Sequence, residues 1–104
     1  MASIKVLDDE SLCNFFTNED GEFIVVASGS DSHSRNLVKQ FEQNNDNIGL
    51  YRLIEPHSVG VNIIQTQLEI ATVPAIIYAK NCKIDILKDV IKYEEITEWM
   101  KQRQ

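Results

Sequence analysis

Five consecutive apolar residues, Phe23-Ile24-Val25-Val26-Ala27, constrain the fold more than any other feature of the sequence. An uninterrupted run of this kind is typical of a strand that is buried on both faces and lies at the centre of a sheet. The chain has 104 residues, which gives room for one core and no second. We therefore expect a single domain over residues 1–104.

Helical and strand patterns alternate on both sides of that run. Strands are predicted at residues 4–7, 23–27, 48–54, 75–79 and 84–87. Helices are predicted after a cap at Asp8, Asp9 or Ser11, after the serine-rich loop 28–34, through Val59, Ile63 and Ile64, and at residues 93–102. The order is therefore β-α-β-α-β-α-β-β-α. Right-handed crossovers make the first strands parallel, and a tight turn at residues 80–83 joins the last two as an antiparallel hairpin. We expect a mixed β-sheet with helices on both faces.

The charge balance excludes several classes of partner. The chain carries 16 acidic and 10 basic residues, a net charge of −6, and no basic stripe. Nucleic acid and acidic membrane surfaces are therefore not expected as partners. No apolar window is long enough to span a membrane, and acidic residues interrupt any leader peptide, so we expect a cytoplasmic location. Because most of the excess acid lies in residues 1–52, electrostatic steering favours a basic protein partner.

Two cysteines, Cys13 and Cys82, do not form a CxxC motif or a Cys/His cluster with zinc spacing. We expect two reduced thiols, because disulfides are rare in cytosolic proteins. Cys82 lies in the predicted hairpin turn between Lys80 and Lys83, where we expect it to be exposed. No metal and no cofactor is expected.

The segment Thr72-Val73-Pro74, followed by an apolar strand and by Lys80-Asn81, resembles the pattern of the thioredoxin-like family. That pattern is a branched residue, a cis-proline, an apolar strand and Lys-Asn at the hairpin. The apolar run at residues 23–27 and the order of the elements are similar to the same family. The resemblance covers essentially the whole chain and implies an α/β thioredoxin-like fold, with a central mixed sheet flanked by helices.

The family's CxxC motif begins three residues after an alanine at the end of the second strand. The four matching positions in this chain are Ser30, Asp31, Ser32 and His33. Neither cysteine position carries a thiol, and disulfide exchange proceeds through a thiolate. The resemblance therefore implies a redox-inactive member, without dithiol-disulfide oxidoreductase activity. The accompanying positions also differ from the family pattern, at Gly29, Ile24 and Val90.

The loop at residues 28–34 leaves several interpretations open. Its serines and Asp31 are typical of helix N-caps, whereas a helix N-terminus can also hold a small anion. Asp31 argues against the anion, because it already supplies negative charge. Ser30 and His33 are three residues apart and would share a helix face as a nucleophile pair, but no orienting acid or oxyanion hole is identifiable. A glutathione- or thiol-linked enzyme using Ser30 is the alternative function.

Pro74 has two interpretations, as a residue that only shapes the turn into the next strand or as part of a peptide site. In the thioredoxin-like family the backbone of the preceding residue, here Val73, pairs with extended peptides, a recurrent mode of recognition. The favoured hypothesis is a non-enzymatic module that binds a protein or an extended peptide, as an interaction or assembly subunit. The candidate binding residues are Gly29, Ser30, Asp31, Ser32, His33, Val73 and Pro74.

Overall fold

The computed structural model describes residues 4–28, 31–44, 47–53, 59–70, 73–88 and 92–103. Within them a five-stranded sheet has the order β1-β3-β2-β4-β5. The strands are β1 (Lys5–Val6), β2 (Glu22–Ala27), β3 (Gly49–Arg52), β4 (Ala75–Lys80) and β5 (Lys83–Leu87). β3 pairs in parallel with both β1 and β2, and β4 pairs antiparallel with both β2 and β5. The mixed sheet and the terminal hairpin confirm the predicted α/β fold class.

Among the same residues, four helices follow the predicted order. They are α1 (Asp9–Phe15), α2 (Ser32–Gln43), α3 (Val59–Asn62) and α4 (Tyr93–Lys101). Helix α3 continues into a π-helical turn over Ile63–Gln67, closed by a hydrogen bond from the Leu68 amide to the Ile63 carbonyl, 3.0 Å. The helix predicted through Val59, Ile63 and Ile64 is therefore present, and its second half is π-helical.

The central strand β2 supplies two separate apolar clusters, because successive side chains point to opposite faces. Ile24 and Val26 belong to the cluster that includes the buried side chains of α1, the π-helical turn and β4. Phe23, Val25 and Ala27 belong to the cluster that includes the buried side chains of α2 and α4. All five residues are buried, which confirms the prediction of a strand covered on both faces.

The ends of several elements differ from the predictions. The first strand covers two residues instead of residues 4–7, although the Leu7 amide still donates to the Leu50 carbonyl at 2.8 Å. The last helix ends at Lys101, with Gln102 as its C-cap. Of its apolar and aromatic side chains, Ile96 and Met100 are buried, whereas Tyr93 and Trp99 are half-buried. The predicted end of the third strand, residue 54, lies outside the described residues.

One asparagine joins the turn after α1 to the β4–β5 hairpin. The Asn18 Nδ2 donates to the carbonyls of Phe15 and Ala79, at 2.6 and 3.0 Å, and its Oδ1 accepts from the Gly21 amide at 2.7 Å. The Asn81 amide of the hairpin turn donates in turn to the Asn18 carbonyl, at 2.8 Å. Gly21 has a φ of 86°, a conformation that favours glycine. Asn18 therefore holds two turns that are far apart in sequence.

A buried tyrosine connects α1, β3 and α3. The Tyr51 hydroxyl donates to the Asp9 Oδ1 at 2.7 Å. Gly60 of α3 packs directly against this pair, and a Cβ at that position would collide with the hydroxyl oxygen. Helix α3 can approach β3 this closely because residue 60 has no side chain.

Candidate functional site

The two segments singled out in the sequence meet at one edge of the sheet. In the antiparallel pairing of β2 with β4, Val26 lies opposite Ala75. Ala27, the last residue of β2, and Pro74, which precedes β4, therefore lie side by side. We call the described part of this region, Asp31, Ser32, His33, Val73 and Pro74, the candidate edge. Gly29 and Ser30 of the predicted site lie outside the described residues.

Asp31 is the N-cap of α2. Its Oδ2 accepts hydrogen bonds from the Ser34 amide at 3.2 Å and from the Ser34 hydroxyl at 2.9 Å. The hydrogen bond from the Ser34 hydroxyl is the largest cause that lowers the pKa of Asp31 below its ordinary value of 3.8. Ser34 is itself buried. The capping interpretation of the loop therefore holds, with Asp31 as the capping residue.

Ser30 of the predicted Ser30–His33 pair lies outside the described residues. Helix α2 begins at Ser32, directly after its Asp31 cap, so residue 30 precedes the helix in sequence. His33 lies in the first helical turn and is exposed. The pairing of Ser30 with His33 therefore stays a prediction.

The peptide bond between Val73 and Pro74 is cis. Pro74 is buried. Val73 is half-buried and packs against the core cluster that contains Ile64 and Ile70. Strand β4 begins at the next residue, Ala75. This segment is therefore held between the core and the start of a central strand.

A cleft of about 320 Å³ opens beside the candidate edge, between α2 and the end of β3. Its lining residues are Ala27, Ser28, Ser34, Arg35, Val38, Lys39, Glu42 and Arg52. Arg52 reaches it because it pairs in register with Ala27. Sequence analysis missed this cleft. The available signal was the spacing of Arg35 and Lys39, which places both on one helix face.

The thiols lie elsewhere. Cys13 and Cys82 are both unpaired and exposed, which confirms the expectation for Cys82. Cys82 follows the far end of β4. A strand of six residues such as Ala75–Lys80 spans about 20 Å, and this length separates Cys82 from Pro74.

Among the described residues, no three metal-ligating side chains form a group that could hold an ion. In the same part of the chain, no helix is long and apolar enough to cross a bilayer.

The two aspartate caps predict how stability depends on pH. Asp8 caps α1 by accepting from the Ser11 amide at 2.8 Å, and this backbone hydrogen bond is the largest cause that lowers its pKa. A carboxyl whose pKa is lower in the folded state binds protons more readily when unfolded. Its contribution to stability is therefore present above its ordinary pKa and is lost as the pH falls through the folded-state pKa.

We expect the Asp8→Asn/Asp31→Asn variant to lose less stability than the wild type between pH 5 and pH 2. Urea denaturation across that range measures the difference in the free energy of unfolding, which should be largest below about pH 4. Asp20→Asn is the control, because Asp20 is an exposed carboxyl outside any helix. An acid dependence that is as steep in the double variant as in the wild type would contradict the assignment.

Comparison with known proteins supports the fold. The chain matches no protein-family model, and no curated protein is significantly similar to it in sequence. Among solved structures it is similar to the thioredoxin Mala s 13 of Malassezia sympodialis, with 15% identity and a TM-score of 0.72. That match covers 98% of this chain and 91% of the other. It is also similar to the short form of spinach chloroplast thioredoxin f, with 11% identity and a TM-score of 0.73, over 96% of this chain and 92% of that one.

A third similarity is to a longer protein. Human ERp44 (form I) matches with 18% identity and a TM-score of 0.68, over 100% of this chain and 30% of the ERp44 chain. Sequence identities of 11% to 18% support a shared fold and nothing beyond it. The chain therefore has a thioredoxin-like α/β fold, and its sequence contains no CxxC pair.

Proposed function

We propose that this protein is a redox-inactive thioredoxin-like module that binds an extended segment of another protein at the candidate edge. One observation carries the proposal: the β2–β4 register brings Val73 and Pro74 beside the end of β2. In this chain, the positions that match the family's two active-site cysteines carry no thiol. The binding surface would comprise the candidate edge together with Gly29 and Ser30. The protein would act as an interaction or assembly subunit.

The absence of thiols at these positions supports the redox-inactive part of the proposal. Disulfide exchange requires a thiolate that attacks a disulfide sulfur, and a second thiol that resolves the mixed disulfide. Ser30 and His33 occupy the two positions, and neither a hydroxyl nor an imidazole can form a disulfide. Cys82 lies at the opposite end of β4 from Pro74, so it does not replace the missing nucleophile.

The packing of the edge supports the binding part. Ala27 and Pro74 are buried, so the backbone at both sides of the edge is held by the core. Backbone that is fixed in an extended conformation can pair with an incoming strand, and the ordering cost then falls mainly on the incoming segment. The net charge of −6 favours a segment that is basic overall.

A competing location for a basic partner is the acidic run at the start of α1. Asp8 caps that helix, and Asp9 accepts the hydrogen bond of the buried Tyr51. Glu10, the third acidic residue of the run, is exposed. Asp8 thus stabilises the start of α1 and Asp9 joins α1 to β3, and the candidate edge is the better-supported surface.

The proposal is tested by selecting binders from a random peptide library and measuring their affinities by fluorescence anisotropy. We expect Val73→Asp to weaken binding at least about tenfold, or 1.4 kcal/mol, because it places a charge beside the backbone that pairs with the peptide. Val73→Thr, which keeps the shape, should bind within about threefold of the wild type. Val6→Asp is the positional control, because Val6 lies on β1 and is 57% exposed.

Circular dichroism establishes that each variant is folded before its affinity is compared. Equal binding by Val73→Asp and the wild type would move the interface to another surface. Wild-type protein is expected to show no turnover in an insulin disulfide-reduction assay. Turnover there would contradict the redox-inactive part, and glutathione turnover that is lost in Ser30→Ala would favour an enzyme instead.

A further inference from the structure

The cleft beside the candidate edge concentrates positive charge in an acidic protein. Three of its lining side chains, Arg35, Lys39 and Arg52, are basic, and one, Glu42, is acidic. The cleft therefore carries a net charge of about two positives, although the whole chain carries −6. A local reversal of charge of this kind indicates recognition of an anion.

Two separate elements build this charge. Arg35 and Lys39 lie four residues apart on α2 and so project from the same face of the helix. Arg52 comes from β3, where its register with Ala27 places it at the same sheet edge as the loop that follows β2. The cations thus converge on the cleft from its helix side and from its strand side.

We propose that this cleft binds the phosphoryl group of a phosphoserine in the segment that the candidate edge takes, an inference that rests on the proposed function. A phosphoserine carries about −1.5 to −2 charges at neutral pH, which matches the net charge of the cleft. Guanidinium groups bind phosphoryl oxygens through paired N–H donors, and the ammonium of Lys39 adds a point charge. The volume of about 320 Å³ accommodates one such group.

Charge also favours phosphoserine over a carboxylate side chain or a free phosphate ion as the ligand of the cleft. An aspartate or glutamate side chain supplies one negative charge and would leave the cleft positive, so it should bind more weakly than phosphoserine. A free phosphate ion approaches a protein with a net charge of −6 and gains nothing from the candidate edge. In a phosphoserine-containing basic segment, the phosphoryl group complements the positive charge of the cleft, and the basic residues complement the acidic charge of the rest of the protein.

The test uses a peptide selected by the wild-type protein, synthesised with serine or with phosphoserine at each position in turn. We expect one phosphorylated position to improve the affinity at least about tenfold. Lys39→Gln/Arg52→Gln should abolish that gain. Lys83→Gln/Lys101→Gln has the same change in net charge, at exposed residues on β5 and α4, and should retain it.

The outcomes separate the two proposals. Selected peptides that gain no affinity from phosphorylation at any position would overturn the cleft assignment and leave the proposed function standing. Failure to select any peptide would overturn the proposed function, and the assignment that rests on it. An equal loss in the two double variants would also overturn the assignment, because it would reflect net charge alone. Binding of inorganic phosphate that is as tight as binding of the phosphopeptide would likewise overturn the assignment.

Discussion

Replacing Gly60 by alanine is expected to lower the free energy of unfolding by about 3 kcal/mol, at the upper end of the cost of overpacking a core. The new Cβ would collide with the Tyr51 hydroxyl oxygen and would lie 2.5 Å from the Asp9 Oδ1. Tyr51 is 3% exposed, so the ring has no space to retreat. Urea denaturation followed by circular dichroism measures the loss.

A double-mutant cycle with Tyr51→Phe tests the steric cause. Alone, Tyr51→Phe should cost about 1 to 2 kcal/mol, because it removes the hydrogen bond to Asp9. Combined with Gly60→Ala, it should recover part of the loss, because the atom nearest the new Cβ is gone. If the two effects are additive within about 0.5 kcal/mol, the collision is not the cause.

Asn18→Ala is expected to cost about 2 to 3 kcal/mol, because it leaves partly buried backbone groups without their hydrogen-bond partner. The lost bonds are those to the Phe15 and Ala79 carbonyls and from the Gly21 amide. Asn18→Asp should be about as costly, because a carboxylate keeps the acceptor but loses both donated bonds. Hydrogen exchange should show that the Asn81 amide loses protection in either variant.

Asn44→Ala provides the matched control for Asn18. Asn44 also donates from Nδ2 to a backbone carbonyl, that of Gln40, at 2.8 Å. That bond is exposed and lies within the end of one helix, so its loss should cost about 0.5 kcal/mol or less. A similar loss at both asparagines would mean that Asn18 does not join the two turns in the way described.

The architecture follows from local patterns. The run at residues 23–27 specified the central strand, and the alternation of patterns around it specified the element order. These signals are local because burial on both faces requires apolar residues at every position of a strand. The π-helical turn at Ile63–Gln67 has no such signal in the sequence.

The candidate site was predictable only in part. The segment Thr72-Val73-Pro74 indicated the edge, and the β2–β4 register then placed it beside the end of β2. The sequence offered several serines and Asp31 as caps, and only the structure distinguishes among them. The spacing of Arg35 and Lys39 indicates only the helix side of the cleft, because Arg52 joins them through a strand register and not through sequence spacing.

The two-sided burial of β2 has a consequence for the energetics of partner capture. Every residue from Phe23 to Ala27 contributes to one or the other core cluster, so this strand cannot detach without global unfolding. The candidate edge lies beside the end of this doubly buried segment. Affinity at this edge should therefore vary with the flexibility of the free partner segment, and a conformationally restricted version of a peptide should bind with a smaller entropic penalty.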